Sequence, residues 1–355
     1  MEFELNRKDL HQTRFLTGAV PTLDDGQALL RVESFGLTAN NITYAVFGES
    51  MRYWDFFPAS DPDWGKLNVW GYAHVEESRH PDLAPGMRLY GYLPCASHVV
   101  VVPDRINDKG FVDAAPHRLA LPSAYQGYRN VQTDPVYAAD REAEHILFFP
   151  LFFTSFLIDD FLADESFFGA DTIVISSASA KTAIIAAYLL SRREGIRVVG
   201  LTSAGNRKFV EGLGIYDAVY LYDDVAELPG DRAVYVDISG NASVRAGVHA
   251  HYGDRLAHSA AVGMTHWTEM ASGTGQLAGP SPTLFFAPDR IKKRGADWGT
   301  AELDRKVADA WAPFAHWASA WLRVERISGE DEIQKAYLEL LDGNVDPTVG
   351  GIVEV

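Results

Sequence analysis

What the chain has little of sets the first limits. A single cysteine, Cys95, stands among 355 residues, which excludes an internal disulfide framework and any zinc site built on several thiolates, and fits a reducing compartment. Positive charge is also scarce: 31 Lys and Arg face 48 Asp and Glu, a formal net charge of −17. A footprint on nucleic acid or on an anionic membrane needs the opposite balance, so neither is expected as a partner. Any anionic ligand has to be held by a local cluster of cations. No apolar stretch reaches the length expected of a bilayer span, and the opening residues Met1 to Arg7 lack the apolar segment of a secretory leader. The expectation is a cytoplasmic protein. What is present is an ordinary globular composition, 47% hydrophobic and 22% charged, in a chain long enough for two domains.

The clearest pattern runs from Ile173 to Ser203. A β-branched run, Ile173-Val174-Ile175, meets a turn of small residues. An apolar helix follows with Lys181 in its first turn, and a second β-branched run, Arg197-Val198-Val199, comes after it. This is a βαβ unit. In dinucleotide-binding units of this shape, glycines let the backbone approach a pyrophosphate that sits on the free N–H groups of the helix start. Here the glycines are missing, and Ser177, Ala180 and Ala183 stand in their places. They still meet the size requirement, which makes Ser177, Ala178, Ser179, Ala180, Lys181 and Thr182 the candidate cradle. Lys181 reads either as a phosphate contact, since a cation in a first helical turn opposes the macrodipole unless an anion is near, or as a solvated surface lysine. The phosphate loop of nucleotide triphosphatases does not fit, because Ile175 and Ala180 hold two of its glycine positions.

A second absence concerns the end of the second strand. Where an NAD site places an acidic residue for the ribose 2′-hydroxyl, the chain has Thr202 and Ser203, followed by Asn206, Arg207 and Lys208. A missing carboxylate with two cations nearby points to a 2′-phosphate, hence NADP(H). The alternative is that Arg207 and Lys208 merely decorate the start of the helix expected over residues 206–213.

Residues 1–110 read as short strands with frequent turns, among them 27–35, 87–93 and 97–102, which suggests a mostly antiparallel, barrel-like domain. Several segments carry a resemblance: Ala28-Leu29-Leu30-Arg31-Val32 with Phe35-Gly36-Leu37, Asn40-Asn41-Ile42-Thr43-Tyr44, Val69-Trp70-Gly71-Tyr72, and Leu83 to Gly91. Together with the βαβ core and the C-terminus, they resemble the medium-chain dehydrogenase/reductase superfamily. The likeness is strongest to its zinc-free quinone oxidoreductase-like branch, and more narrowly to a subgroup catalogued as a domain of unknown function. The resemblance implies a fold of the α/β class: a Rossmann-type doubly wound parallel sheet over 143–317, plus a GroES-like, mostly antiparallel β-barrel domain from 1–142 and 318–355. Residues of about 111–144 read as an inserted loop, either at the cleft mouth or as a plain surface excursion.

Zinc-dependent relatives carry a cysteine and a Gly-His-Glu tripeptide where this chain has Thr38 and Gly71-Tyr72-Ala73, so no metal is expected by analogy. Cys95 and His98, with His74 and His80 upstream, read as packing or surface residues. The resemblance also makes Thr154, on the apolar helix expected over 146–162, a nicotinamide contact, against the alternative of back-bonding inside a buried helix. It gives the backbone at Phe285 and Phe286 the same part beside the carboxamide. Strands expected at 217–222, 233–238 and 255–262 end in small and polar residues, so Ser239, Gly240 and Gly263 join the candidate cofactor contacts. The basic run Arg290, Lys292, Lys293 and Arg294 reads as a solvated helix face or as help with phosphate.

The implied chemistry is a zinc-independent, NADPH-dependent reductase that moves hydride to a carbonyl or an activated alkene of a quinone- or enone-like small molecule. Without zinc, a phenol or water has to donate to the developing charge, and the candidates are Tyr44 and Tyr72, then Tyr53 and His266. The segment from Asn40 to Trp70 is rich in rings, which suits either a core or a cleft for a flat substrate. The rival reading is a catalytically idle NADP(H)-binding sensor or scaffold of the same fold. A homodimer is implied by the resemblance alone.

Overall fold

The computed structural model describes residues 1–262 and 277–355. Two compact units divide the chain: Met1–Phe149 with Ala315–Val355, and Pro150–Phe314. Both boundaries fall inside helices, Glu142–Asp164 and Thr300–Ala318, and each helix has a proline beside the boundary, Pro150 and Pro313. Proline removes one i→i−4 bond from each.

The first unit is built on a nine-stranded sheet. From one edge the order is Arg323–Ile327, Val349–Glu354, Ala28–Leu37, Asn68–Ser78, Arg88–Pro94, Gly127–Asn130, Gly110–Asp113 and Pro103–Asn107, with His98–Val101 also pairing Ala28–Leu37. Every pairing is antiparallel except the first, between the two C-terminal strands. A small antiparallel sheet of Thr13–Leu16, Glu2–Asn6 and Trp64–Lys66 completes the unit. Gly71 is obligatory in its strand, because a Cβ there would stand 2.1 Å from the carbonyl oxygen of Ser34. The expected loop over 111–144 is corrected: Gly110–Asp113 and Gly127–Asn130 are strands of the main sheet. They are four residues each and hidden among turn residues, too short for an alternating pattern to stand out.

The second unit carries a six-stranded parallel sheet in the order Ala218–Leu221, Arg197–Thr202, Thr172–Ile175, Ala233–Asp237, Leu256–Ala261, Thr283–Leu284. Central strands covered on both faces should be apolar throughout, and all four residues of Thr172–Ile175 and all five of Ala233–Asp237 are buried. The last strand is only two residues long, since Ala287 already begins the helix Ala287–Asp297. Before the first strand, Ser166, Phe167, Phe168 and Gly169 take φ of 49°, 52°, 55° and 71°, one turn of left-handed helix. Phe168 is anchored there by a stacked His258 ring at 4.2 Å and by Arg232 Nε donating to its carbonyl oxygen at 3.2 Å.

The helix Glu142–Asp164 corrects another expectation, since by length and composition it is long and apolar enough to cross a membrane. In the structure it is a core helix: 67% of its most apolar window is buried, and Asp159 pairs with Arg193 at 2.5 Å. The basic run is drawn to the same helix. Arg290 and Arg294 reach Asp160 at 2.9 and 2.7 Å, and Lys293 reaches Asp164 at 3.2 Å. Arg290, Lys293 and Arg294 hold the Asp164 carboxyl low, at about 2, while Lys292 and Lys293 are exposed as the solvated-face reading expects.

Candidate functional site

At the carboxyl edge of the parallel sheet, strand Thr172–Ile175 runs into the small-residue turn. Ser177 takes φ of 54°, the left-handed region in which the fingerprint's glycine is at ease and an L-residue is strained. Ala178 is fully buried, and three neighbours fix it: its N–H donates to the carbonyl of Leu201 at 2.9 Å, Tyr216 Oη donates to its carbonyl at 2.9 Å, and its methyl faces Gly200. A Cβ on Gly200 would lie 3.0 Å from that methyl, so the glycine that this βαβ unit keeps is in the second strand. The helix Lys181–Leu190 begins at Ala180 with no side chain capping it. Ser155 Oγ donates to the carbonyl of Thr182 at 2.9 Å and ties this first turn to the long helix.

The neighbouring strand ends are laced to the turn. Ser176 Oγ, fully buried, donates to Asp237 Oδ1 at 3.0 Å and accepts the N–H groups of Ile238 and Ser239, both at 3.0 Å. Asp237 Oδ1 also accepts from Tyr235 Oη, Ser239 Oγ and the N–H of Gly240, while Oδ2 accepts from Arg245 Nε at 2.9 Å. The helix that follows, Ala242–Tyr252, is capped by Asn241, whose side chain accepts from the N–H groups of Ser243 and Val244. On the other side, Asn206 Nδ2 donates to Ser179 Oγ at 3.0 Å, and the Thr202 hydroxyl is buried without a hydrogen-bond partner among the described residues. Arg207 spends its Nε on Glu211 at 2.8 Å, Lys208 is exposed, and Lys181 is half-buried.

The structure thus brings the cradle, Thr202 to Asn206, and Ser239-Gly240 to one sheet edge. Phe285 stands at the same carboxyl edge, just past the end of the last strand, with its N–H on the carbonyl of Ala261 and its ring 5.9 Å from Phe161, and Phe286 is 50% exposed. Thr154 is half-buried, beside the bonded Ser155. Gly263 and His266 lie outside the described residues.

The tyrosine candidates belong to the first unit and separate into two groups. Tyr44, on the helix Ala39–Val46, accepts at its oxygen from Asn40 Nδ2 at 2.8 Å and from Trp70 Nε1 at 2.9 Å. With two donors filling its lone pairs, its own proton is what it has left to give. Burial, with Tyr53 alongside, pushes the phenol up, so it stays protonated at neutral pH. Tyr53 joins its hydroxyl to that of Tyr125 at 3.2 Å. Tyr72 stands apart from this group: fully buried, it bonds His145 Nδ1 at 2.6 Å with the Arg88 guanidinium over its ring. Burial, with Arg129 nearby, holds His145 neutral down to about 3. Thr38 opens its helix with its N–H on Asn41 Oδ1 at 2.7 Å. The Cys95 thiol is fully buried and pushed up by that burial, and His98 pairs with Glu76 at 3.0 Å.

Sequence reasoning missed Ser176, Asp237, Arg245, His145, Tyr90 and Tyr92. A signal existed for two groups of them: an acid at a strand end just before Ser-Gly, and aromatics at alternate positions 70, 72, 90 and 92 on paired strands.

The model of a family described as "Protein of unknown function (DUF2855)" matches residues 35–346. No curated protein matches the chain. Solved structures similar over nearly its whole length include CurA from Vibrio vulnificus in complex with NADPH, 14% identical with a TM-score of 0.58, covering 97% of this chain and 94% of that one. YhdH from E. coli K-12 with bound NADPH is 17% identical with a TM-score of 0.54, covering 100% of both. A putative NADPH:quinone reductase from Mesorhizobium loti is 11% identical with a TM-score of 0.58, covering 95% of this chain and 89% of that one. At such identities the likeness is one of fold, a Rossmann-type parallel sheet with a GroES-like antiparallel domain, as the sequence led us to expect.

Proposed function

The chain belongs to the DUF2855 family, and we propose that it is an NADP(H)-dependent oxidoreductase that reduces a carbonyl or an activated alkene of a small molecule without zinc. The observation that carries this reading is the turn from Ser177 to Ala180. It is bent as a glycine turn is bent, leads into a helix whose N-cap is Ala180, and adjoins a buried Thr202 hydroxyl with no hydrogen-bond partner among the described residues. A diphosphate suits such a helix start, and Thr202, Asn206, Arg207 and Lys208 suit a phosphorylated ribose better than a bare one. Ser239 and Gly240 are held in place by Asp237. Solved structures of the same fold contain NADPH.

Bound NADPH would supply the hydride. The chain's own residues orient the acceptor and supply the proton, and Tyr44 has the strongest claim to that part, because its oxygen is saturated by Asn40 and Trp70 and its proton has no acceptor among the described residues. Tyr72 serves better as a structural partner of His145 than as a donor. The exposed edge at Leu284 and Phe286 suits pairing with a second copy of the chain, which light scattering would test.

The test of function is direct. NADPH should raise the melting temperature more than NADH does, and a panel of quinones, enals and ketones should oxidise NADPH in the protein's presence. Binding without oxidation across the panel would favour the idle sensor or scaffold, and no shift with either cofactor would end the dinucleotide reading.

A further inference from the structure

A turn without glycine has to be kept in its bend by something outside its own backbone. Ser177, at φ of 54°, holds a conformation that glycine adopts freely and an L-residue resists, so the turn is biased toward unbending. Within the turn, the N–H of Ala180 closes on the carbonyl of Ser177 at 2.7 Å. The carbonyl of Ala178 is held from elsewhere: its one donor among the described residues is Tyr216 Oη, at 2.9 Å.

Tyr216 lies outside the βαβ unit, between the helix Arg207–Gly212 and the strand Ala218–Leu221, and the residues around it fix it there. Gly214 turns the chain at φ of 67°, and Ile215 is buried. Asp217 grips Val198 twice, its N–H on that carbonyl at 2.8 Å and its Oδ2 accepting that N–H at 2.7 Å. Burial pushes the Tyr216 phenol up, so it keeps the proton it donates. The ring lies against the bare backbone of Gly200, where a Cβ would stand 3.0 Å from both the ring and the methyl of Ala178. The missing side chain at 200 is what lets ring and turn come together, and the hydroxyl arrives already aimed.

We propose that Tyr216 is a positioning residue for the cofactor: its hydroxyl keeps the strained turn from Ser177 to Ala180 in the bend that presents the helix start to a diphosphate. It replaces from outside the ease that glycines give the usual fingerprint from within. This deepens the NADP(H) reading and rests on it. Because the hydroxyl acts through the turn, its effect on affinity disappears once the turn no longer resists the bend.

The test is calorimetric titration of the full chain with NADPH, below every melting temperature, for the native protein, Tyr216→Phe, Ser177→Gly and the double variant. Tyr216→Phe should bind NADPH about tenfold more weakly, the scale of one hydrogen bond. Ser177→Gly should bind as the native protein does. Added to Tyr216→Phe, it should restore affinity to within about threefold of native, a non-additivity expected only if the two residues act on the same bend. A hydroxyl that merely stabilises the fold would lower the melting temperature of Tyr216→Phe and leave NADPH affinity unchanged, and that result overturns the proposal. A tenfold loss that the glycine leaves in place overturns it too. The native protein is the control for the cofactor reading: no binding of NADPH to any of the four proteins ends that reading and this proposal together, whereas native binding with an unaffected or unrescued Tyr216→Phe ends this proposal alone.

Discussion

The sheet edge of the second unit and the ring cluster of the first treat polar groups in opposite ways. At the sheet edge nearly every side chain is spoken for: Asp237 Oδ1 alone collects four donors, and Ala178 is pinned through its N–H, its carbonyl and its methyl. What the turn presents there is backbone, the start of the helix Lys181–Leu190, whose N-cap residue Ala180 makes no side-chain cap hydrogen bond among the described residues. In the ring cluster Trp70, Tyr72, Tyr90 and Tyr92 sit on strands whose backbone is paired, and what lacks a partner among the described residues is the hydroxyls of Tyr90 and Tyr92. A site that binds through backbone tolerates changes of residue as long as size is kept, which is how Ser177 and Ala180 could serve at the proposed cofactor turn. A site that binds through side chains does not share that tolerance.

The comparison is broken hardest at Asp237. Asp237→Ala leaves the Arg245 guanidinium, half-buried against Gly240, without its carboxylate and strands four donors, so we expect a loss of about 3–5 kcal/mol, read from urea midpoints. An undiminished midpoint would mean that the lacing is incidental. Tyr44→Phe comes next. Stability should drop by about 1–3 kcal/mol as the Asn40 and Trp70 donors lose their acceptor, and NADPH affinity should hold while kcat falls by about a hundredfold or more, the scale of a lost proton donor, in steady-state assays with the acceptor that the panel identifies. A fall in NADPH affinity instead would assign the hydroxyl to the wrong half of the comparison.

His145 gives a pH test of the ring cluster. Folded, it takes a proton only at about 3, against an ordinary value of 6.5. Between those values the unfolded chain binds more protons, so the stability that depends on neutral His145 is complete above about pH 6.5 and falls as pH drops toward 3, by at most about 1.4 kcal/mol per pH unit. His145→Gln keeps an acceptor for Tyr72 and should flatten that slope when unfolding is followed at pH 4, 5 and 7. The smallest effect is expected at the sheet edge: Ser177→Gly relieves a left-handed residue and should add about 1 kcal/mol of stability with NADPH binding kept. A loss of binding there would show that the serine side chain, and not the bend, holds the cofactor.

These differences also explain what was legible in the chain. The βαβ core announced itself through unbroken β-branched runs. Proposed cofactor contacts that would act through backbone could be named by counting along the turn. Asp237 and Tyr90 could not, since their roles come from partners 61 and 55 positions away, Ser176 and His145, which only the folded sheets bring near. The strands at Gly110–Asp113 and Gly127–Asn130 were hidden for a related reason: four residues supply too little period to outweigh the turn residues around them.

The turn at Ser166–Gly169 has a consequence of its own. Four successive residues of L-hand are wound in the sense that a D-amino acid prefers, with three of them bearing side chains. Chemical ligation of a D-alanine at position 166 should therefore strengthen the protein where the same replacement in any of its right-handed helices would break it, so that this short segment is a place where the chain would accept its building blocks in mirror image.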